Sequence, residues 1–125
     1  MSEHFFLQQA PFVVPTTDGK LIEEHVGRIA TDEANLSVAH MVAPPGWSEP
    51  HQNPEFDEYT LMVRGRKQIE INGETVTLKS GESLLVRKGV RVQYSNPFEE
   101  EAEYWSVCIP AFSPDSVNRE NDSST

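Results

Sequence analysis

"QIEINGETVTL", residues 68–78, decides the fold class. Asn72-Gly73 is a preferred pair for a two-residue type I′ hairpin turn, in which both central residues take positive φ. A turn that short fixes the register: Ile71 opposes Glu74 and Ile69 opposes Val76. Ile69, Ile71, Val76 and Leu78 then share one face, while Glu70, Thr75 and Thr77 share the other. One face belongs to a core and the other to water. On both sides of the hairpin the same short alternating pattern recurs, in "LSVAHMVA" (36–43), "DEYTLMVRG" (57–65), "RKQIEI" (66–71), "ETVTLK" (74–79), "ESLLVR" (82–87), "VRVQYS" (90–95) and "EYWSVCI" (103–109). These runs are rich in β-branched and aromatic residues and are separated by Gly, Pro or Asn. No segment of ten or more residues carries a helical stripe. Many short strands at this spacing predict an all-β sandwich or barrel, and a double-sheet jelly roll manages its edges economically.

The chain has 125 residues, enough for one domain, with 37% hydrophobic residues to fill its core. The core is expected over about 34–112. Residues 1–33 are expected to form an N-terminal arm and edge strands, and 113–125 a frayed polar tail. A net charge of −10 repels phosphate backbones, and the Lys and Arg residues form no stripe, which argues against nucleic acid. The single cysteine, Cys108, cannot form an intramolecular disulfide, and no leader or long apolar run is present. The expectation is a cytoplasmic protein with no membrane partner. The acidic run "EEEAE" (99–103) reads as a solvated loop face.

A second stretch, "EPHQNPEFDEYTLMVRG" (49–65), resembles the first motif of the cupins: glycine, two histidines one residue apart, a glutamate, six residues and a glycine. His51 stands at the first histidine, Asn53 replaces the second, Glu58 matches the glutamate, and Gly65 closes the motif. Four residues separate Gly46 from His51 where the family usually has five. "GESLLVRKGVRVQYSN" (81–96) is similar to the second motif through Gly81, Gly89 and Asn96, but Arg87 stands for its proline and Val92 for its histidine. The resemblance covers about 50 of the 125 residues and implies a double-stranded β-helix (jelly-roll) cupin barrel. It also implies a homodimer, in which an N-terminal arm such as "APFVVPTT" adds to a neighbouring sheet.

The family's metal-binding members would use three histidines and a carboxylate to hold Fe, Mn, Ni, Zn or Cu with positions left open for substrate. By strand parity His51 and Asn53 share a face, and Glu58 reaches them from the next strand. That makes His51, Glu58 and Asn53 the candidate metal ligands, with a weakened donor set because Asn53 offers only an amide oxygen and Val92 nothing. The competing reading is a hydrogen-bonded His51–Glu58 pair in a metal-free cavity, with Asn53 adding an amide. A third has His40 or Glu49 completing the site. Thr60 and Met62 follow Glu58 on its face, and Tyr94 follows Val92. A cavity lined by Asn53, Thr60, Met62, Val92 and Tyr94 suits a small polar organic ligand. Arg87 is either an anion-capturing group or a surface arginine pairing with the acidic run, and His4 and His25 are expected to face solvent. Cys108, in the last strand, reads as a buried small hydrophobe.

Three function classes follow. The chain binds a small polar molecule in its barrel, with or without a weakened metal at His51 and Glu58. It is a metal-dependent dioxygenase, isomerase or lyase. Or it is a metal-free isomerase or epimerase of sugars or keto acids, with His51 as acid or base.

Overall fold

The computed structural model describes residues 4–120. Nine strands follow in order: β1 (Phe12–Val13), β2 (Leu21–Val26), β3 (Ser37–Ala43), β4 (Asp57–Arg64), β5 (Arg66–Ile71), β6 (Glu74–Lys79), β7 (Ser83–Val86), β8 (Val92–Ser95) and β9 (Ala102–Ile109). A 3₁₀ turn at Pro114–Ser116 comes last. They form a six-stranded sheet, β1-β2-β3-β9-β4-β7, and a three-stranded sheet, β6-β5-β8. The pairings between the named strands are antiparallel.

The hairpin takes the register that its turn dictates, Ile71 opposite Glu74 and Ile69 opposite Val76. Asn72 and Gly73 hold φ values of +49° and +86°, the positive pair that a type I′ turn requires. Alternation then sorts the side chains. On β9, Ala102, Tyr104, Ser106 and Cys108 turn inward, and on β4 so do Thr60 and Met62. The inner faces meet in a cluster that includes Trp47, Met62, Ile69, Val92, Tyr94 and Tyr104. A smaller cluster joins Phe56, Cys108 and Val117, with Phe112 packed against it.

Gly65, at φ +77°, turns the chain from β4 in one sheet to β5 in the other, where it lies directly against the Glu101 carbonyl. Asn96, just beyond β8 and fully buried, ties the loops at that end together. Its Nδ2 donates to the carbonyls of Ala43, Pro44 and Glu100, and its Oδ1 accepts from the Phe98 amide.

The segment "APFVVPTT" joins the chain's own sheet as its edge strand, with β1 paired to β2. One expectation for the chain ends is corrected. The tail is docked as far as residue 120: Val117 is buried, Arg119 bridges to Gln52, and the Glu120 amide donates to the His51 carbonyl. Two buried apolar contacts and a strand-like bridge outweigh the polar composition that suggested fraying. The remainder of that tail, 121–125, and residues 1–3 of the arm lie outside the described residues.

Candidate functional site

The two sheets do not close completely on each other. Between them lies a cavity of about 480 Å³, walled by β2, β3, β4 and β9 on one side and by β5 and β8 on the other. The β1–β2 connection, residues 14–20, and the docked tail, residues 112–119, also contribute to its lining.

Its chemistry comes from few side chains. Glu58 on β4 accepts a hydrogen bond from Ser106 on β9 at 2.6 Å, since neighbouring inward positions bring the two groups together. Lys67 on β5 is 1% exposed, with its ammonium 3.6 Å from the centre of the Tyr104 ring and 4.3 Å from that of Tyr94. Lys20, also buried, places its ammonium 4.2 Å from the Trp47 ring centre and 5.5 Å from that of Tyr104. Burial alone would discharge Lys20, but attraction to Tyr104, Glu49 and Glu58 outweighs it and raises its pKa. Burial, reinforced by Glu58 and Glu49, pushes the Tyr94 hydroxyl far above its ordinary range, so it remains a neutral donor. Burial pushes the Cys108 thiol up as well, with Glu58 adding to the effect, and a neutral thiol is a poor nucleophile. Gln52 is buried, and its Nε2 donates to Glu49 at 3.1 Å. Three buried polar atoms have no hydrogen-bond partner among the described residues: Gln52 Oε1, Tyr94 Oη and Tyr104 Oη.

The expected His51–Glu58 pair is not formed. His51 and Asn53 are absent from the cavity lining, whereas Gln52 between them is part of it. His51 Nε2 instead meets Glu70 at 3.1 Å, and Asn53 Nδ2 lies 3.4 Å from the Gly89 carbonyl. The cause is one residue of spacing. Counting five residues from Gly46, as the family does, puts Gln52 and Pro54 at the two histidine positions, with Glu58 and Gly65 still in place. Shifting a strand by one residue exchanges its faces, and the bridge from Gln52 to Val92 holds this register. Of the ligand-contact set, only Tyr94 reaches the cavity. Met62 and Val92 pack in the core cluster, and Thr60 is buried outside the cavity lining.

A transition metal does not fit these residues. The four ligand positions carry Gln52, Pro54, Glu58 and Val92, and two buried ammonium groups line the same space or abut it, where they would repel a cation. Among the described residues no group of three or more His, Cys, Asp or Glu side chains is arranged to hold a metal ion. His40 cannot complete the site, because it lies on the outer face of the large sheet between Glu23 and Glu103, at 2.9 and 2.8 Å. His25 packs at a tilt against Trp105 there, with ring centres 4.9 Å apart, and is not simply solvent-facing. Arg87 is largely exposed and pairs with Asp57 at 3.7 Å, not with the acidic run.

Sequence reasoning missed Lys67, Lys20, Gln52 and Ser106. Lys67 carried a legible signal, being two residues before Ile69 and opposite Leu78, on the core face of the hairpin. For Gln52 the signal was the short spacing after Gly46.

The family model for the cupin domain matches residues 39–109, more than half of the chain. The chain belongs to the cupin family. A Myxococcus xanthus relative named Endoribonuclease YbeY is 46% identical over 108 residues, which are 86% of this cupin and 37% of that protein. The chain spans well under half the length of the curated relatives it matches. Among solved structures, Streptomyces PAC13 with uridine superimposes with a TM-score of 0.75 at 13% identity, covering 96% of this chain and 92% of that one. An RmlC-like cupin with a double-stranded β-helix fold from Methanocaldococcus jannaschii gives 0.67 at 17% identity, covering 85% and 94%. At such identities the likeness establishes the jelly-roll fold.

Proposed function

We propose that this cupin holds a small polar organic molecule in the cavity between its sheets, through Gln52, Glu58, Lys20, Lys67 and Tyr94 and without a transition metal. The observation that carries this is the set of buried polar atoms left without partners, two of which, on Gln52 and Tyr94, belong to lining residues. An unmade buried hydrogen bond is costly, and a bound polar ligand would complete it. The volume lies within the range of small-molecule sites.

A metal-free acid–base enzyme is the second reading, and Glu58 favours it. Its carboxylate lines the cavity, held by the Ser106 hydroxyl and close to that of Tyr94, where it can exchange a proton with a bound substrate. The acid–base role imagined for His51 passes to Glu58.

The net charge of −10 supports no nucleic-acid partner, and the ribonuclease name of the Myxococcus relative belongs to a protein of which this chain matches a minority. Among the described residues no helix is long and apolar enough to cross a membrane. We include a cytoplasmic location, supported by the single buried free thiol. We also include a homodimer, formed through the apolar row Tyr59, Leu61 and Val63 on the outer face of β4, which is exposed on this chain.

The test is thermal-shift screening of the intact chain against small acids, amides, sugars and uridine, beside Tyr94→Phe. A ligand that raises the melting temperature, with the shift reduced in Tyr94→Phe, supports the reading. A shift that this variant leaves unchanged would place the ligand elsewhere.

A further inference from the structure

Neither buried lysine has a carboxylate in direct contact. Among the described residues neither ammonium lies within the 4.0 Å ion-pairing distance of a carboxylate. The carboxylates that line the cavity are already occupied. Asp18 accepts from the Trp47 indole and the Lys20 amide, and Glu24 accepts from the amides of Ile29 and Ala30. Glu49 takes the Gln52 amide and faces Arg119 at 3.6 Å, and Glu58 takes Ser106. Aromatic faces compensate the ammonium charges in part, but each ammonium presents three donors and a ring offers no lone pair. Both ammonium groups lie within 5.5 Å of the Tyr104 ring centre, and the buried Tyr94 hydroxyl on the lining adds another donor. This end of the cavity therefore has more donors than acceptors in direct contact.

Gln52 presents the opposite deficit. Its amide orientation is fixed, because only Nε2 can donate to Glu49, and that leaves Oε1 as a buried acceptor with nothing to accept. A carboxylate cannot satisfy it, whereas a hydroxyl can.

Resting on the reading that the cavity binds an organic molecule, we infer that the ligand is a small hydroxy acid, its carboxylate facing Lys20 and Lys67 and a hydroxyl donating to Gln52. A carboxylate has about four lone-pair sites on two oxygens, enough for two ammonium groups and the Tyr94 phenol. The apolar side chains of Ile22, Ala39, Met41 and Phe56 on the lining suit a short carbon skeleton.

The experiment uses the intact chain in calorimetry and thermal shift. Its probes are two- to six-carbon hydroxy acids from glycolate to gluconate, each with its deoxy acid and primary amide, together with inorganic phosphate and uridine. At least one hydroxy acid is expected to bind, with its amide and its deoxy acid each weaker by about 10-fold or more. Lys67→Met is expected to raise the melting temperature without ligand, since a buried charge with only aromatic faces against it is replaced by an apolar chain of similar length. The same variant is expected to lose acid binding by about 10- to 100-fold. Should that variant fail to fold, Lys20→Met is measured for acid binding alone, and unchanged binding there would overturn the inference. An amide or uridine binding as well as the acid overturns the acid assignment but leaves the cavity reading standing. So does phosphate binding as tightly as every hydroxy acid. A lowered melting temperature in Lys67→Met would assign its ammonium to the fold and overturn the inference. If no probe binds, the cavity reading fails with it.

Discussion

Asn96 offers a measurable test of how the barrel end is held. Its side chain is fully buried, with Nδ2 2.9 Å from the Glu100 carbonyl and 3.2 Å from those of Ala43 and Pro44, while Oδ1 is 3.1 Å from the Phe98 amide. Two amide protons serve three carbonyls, so one is shared, and three full bonds is the fair count. At roughly 1 kcal/mol net for each, Asn96→Ala should cost about 3 kcal/mol, a large part of the ~5–15 kcal/mol typical of a domain. Asn96→Asp preserves the shape but turns a carboxylate oxygen toward the carbonyls. At pH 7 it should cost more than the alanine change, because a buried charge then faces like partial charges. The signs are distinct. The introduced carboxyl would have a folded-state pKa raised above its unfolded value, so its penalty is absent below that unfolded value and grows as pH rises. Urea denaturation followed by circular dichroism at pH 5 and pH 7 measures both variants. The reasoning is refuted if Asn96→Ala costs less than about 1 kcal/mol, or if Asn96→Asp is as stable as Asn96→Ala at pH 7.

His40 should make the stability of the unaltered chain depend on pH near neutrality. Burial pulls its pKa down, but hydrogen bonds to Glu103 and Glu23 outweigh this and raise it above the ordinary 6.5. The stabilisation is therefore fully present below pH 6.5 and is lost as pH rises through the folded-state value. His40→Gln should reduce the fall in melting temperature between pH 6 and pH 8, and an unchanged profile would remove His40 as its source. Gly65→Ala and Gly73→Ala both place a side chain at positive φ, at a cost of roughly 1–2 kcal/mol. At Gly65 the new Cβ would also strike the Glu101 backbone carbonyl, whereas at Gly73 nothing lies within 4 Å. Gly65→Ala should lose at least about twice the stability of Gly73→Ala in denaturant titrations, and equal losses would contradict that close approach.

The fold was readable because each strand's alternation and each turn's chemistry make the same demand. Asn72-Gly73 alone set a register that six consecutive pairs obey. Strand β2 escaped because "LIEEHV" alternates poorly and buries a glutamate, Glu24, whose partners are the backbone amides of Ile29 and Ala30. The site was harder to read because face assignment in a strand is a parity, and parity fails completely for an error of one residue. Histidine attracted the assignment to positions 51 and 53 on chemical grounds, while the spacing from Gly46 assigned the inward position to Gln52. Where chemistry and spacing disagree, spacing prevails, since the backbone ladder is satisfied first and side chains point where it sends them. The same rule applied to the hairpin would have put Lys67 inside, in phase with Ile69. A lysine held on a core face, without a carboxylate partner in the fold, calls for an anion from outside it.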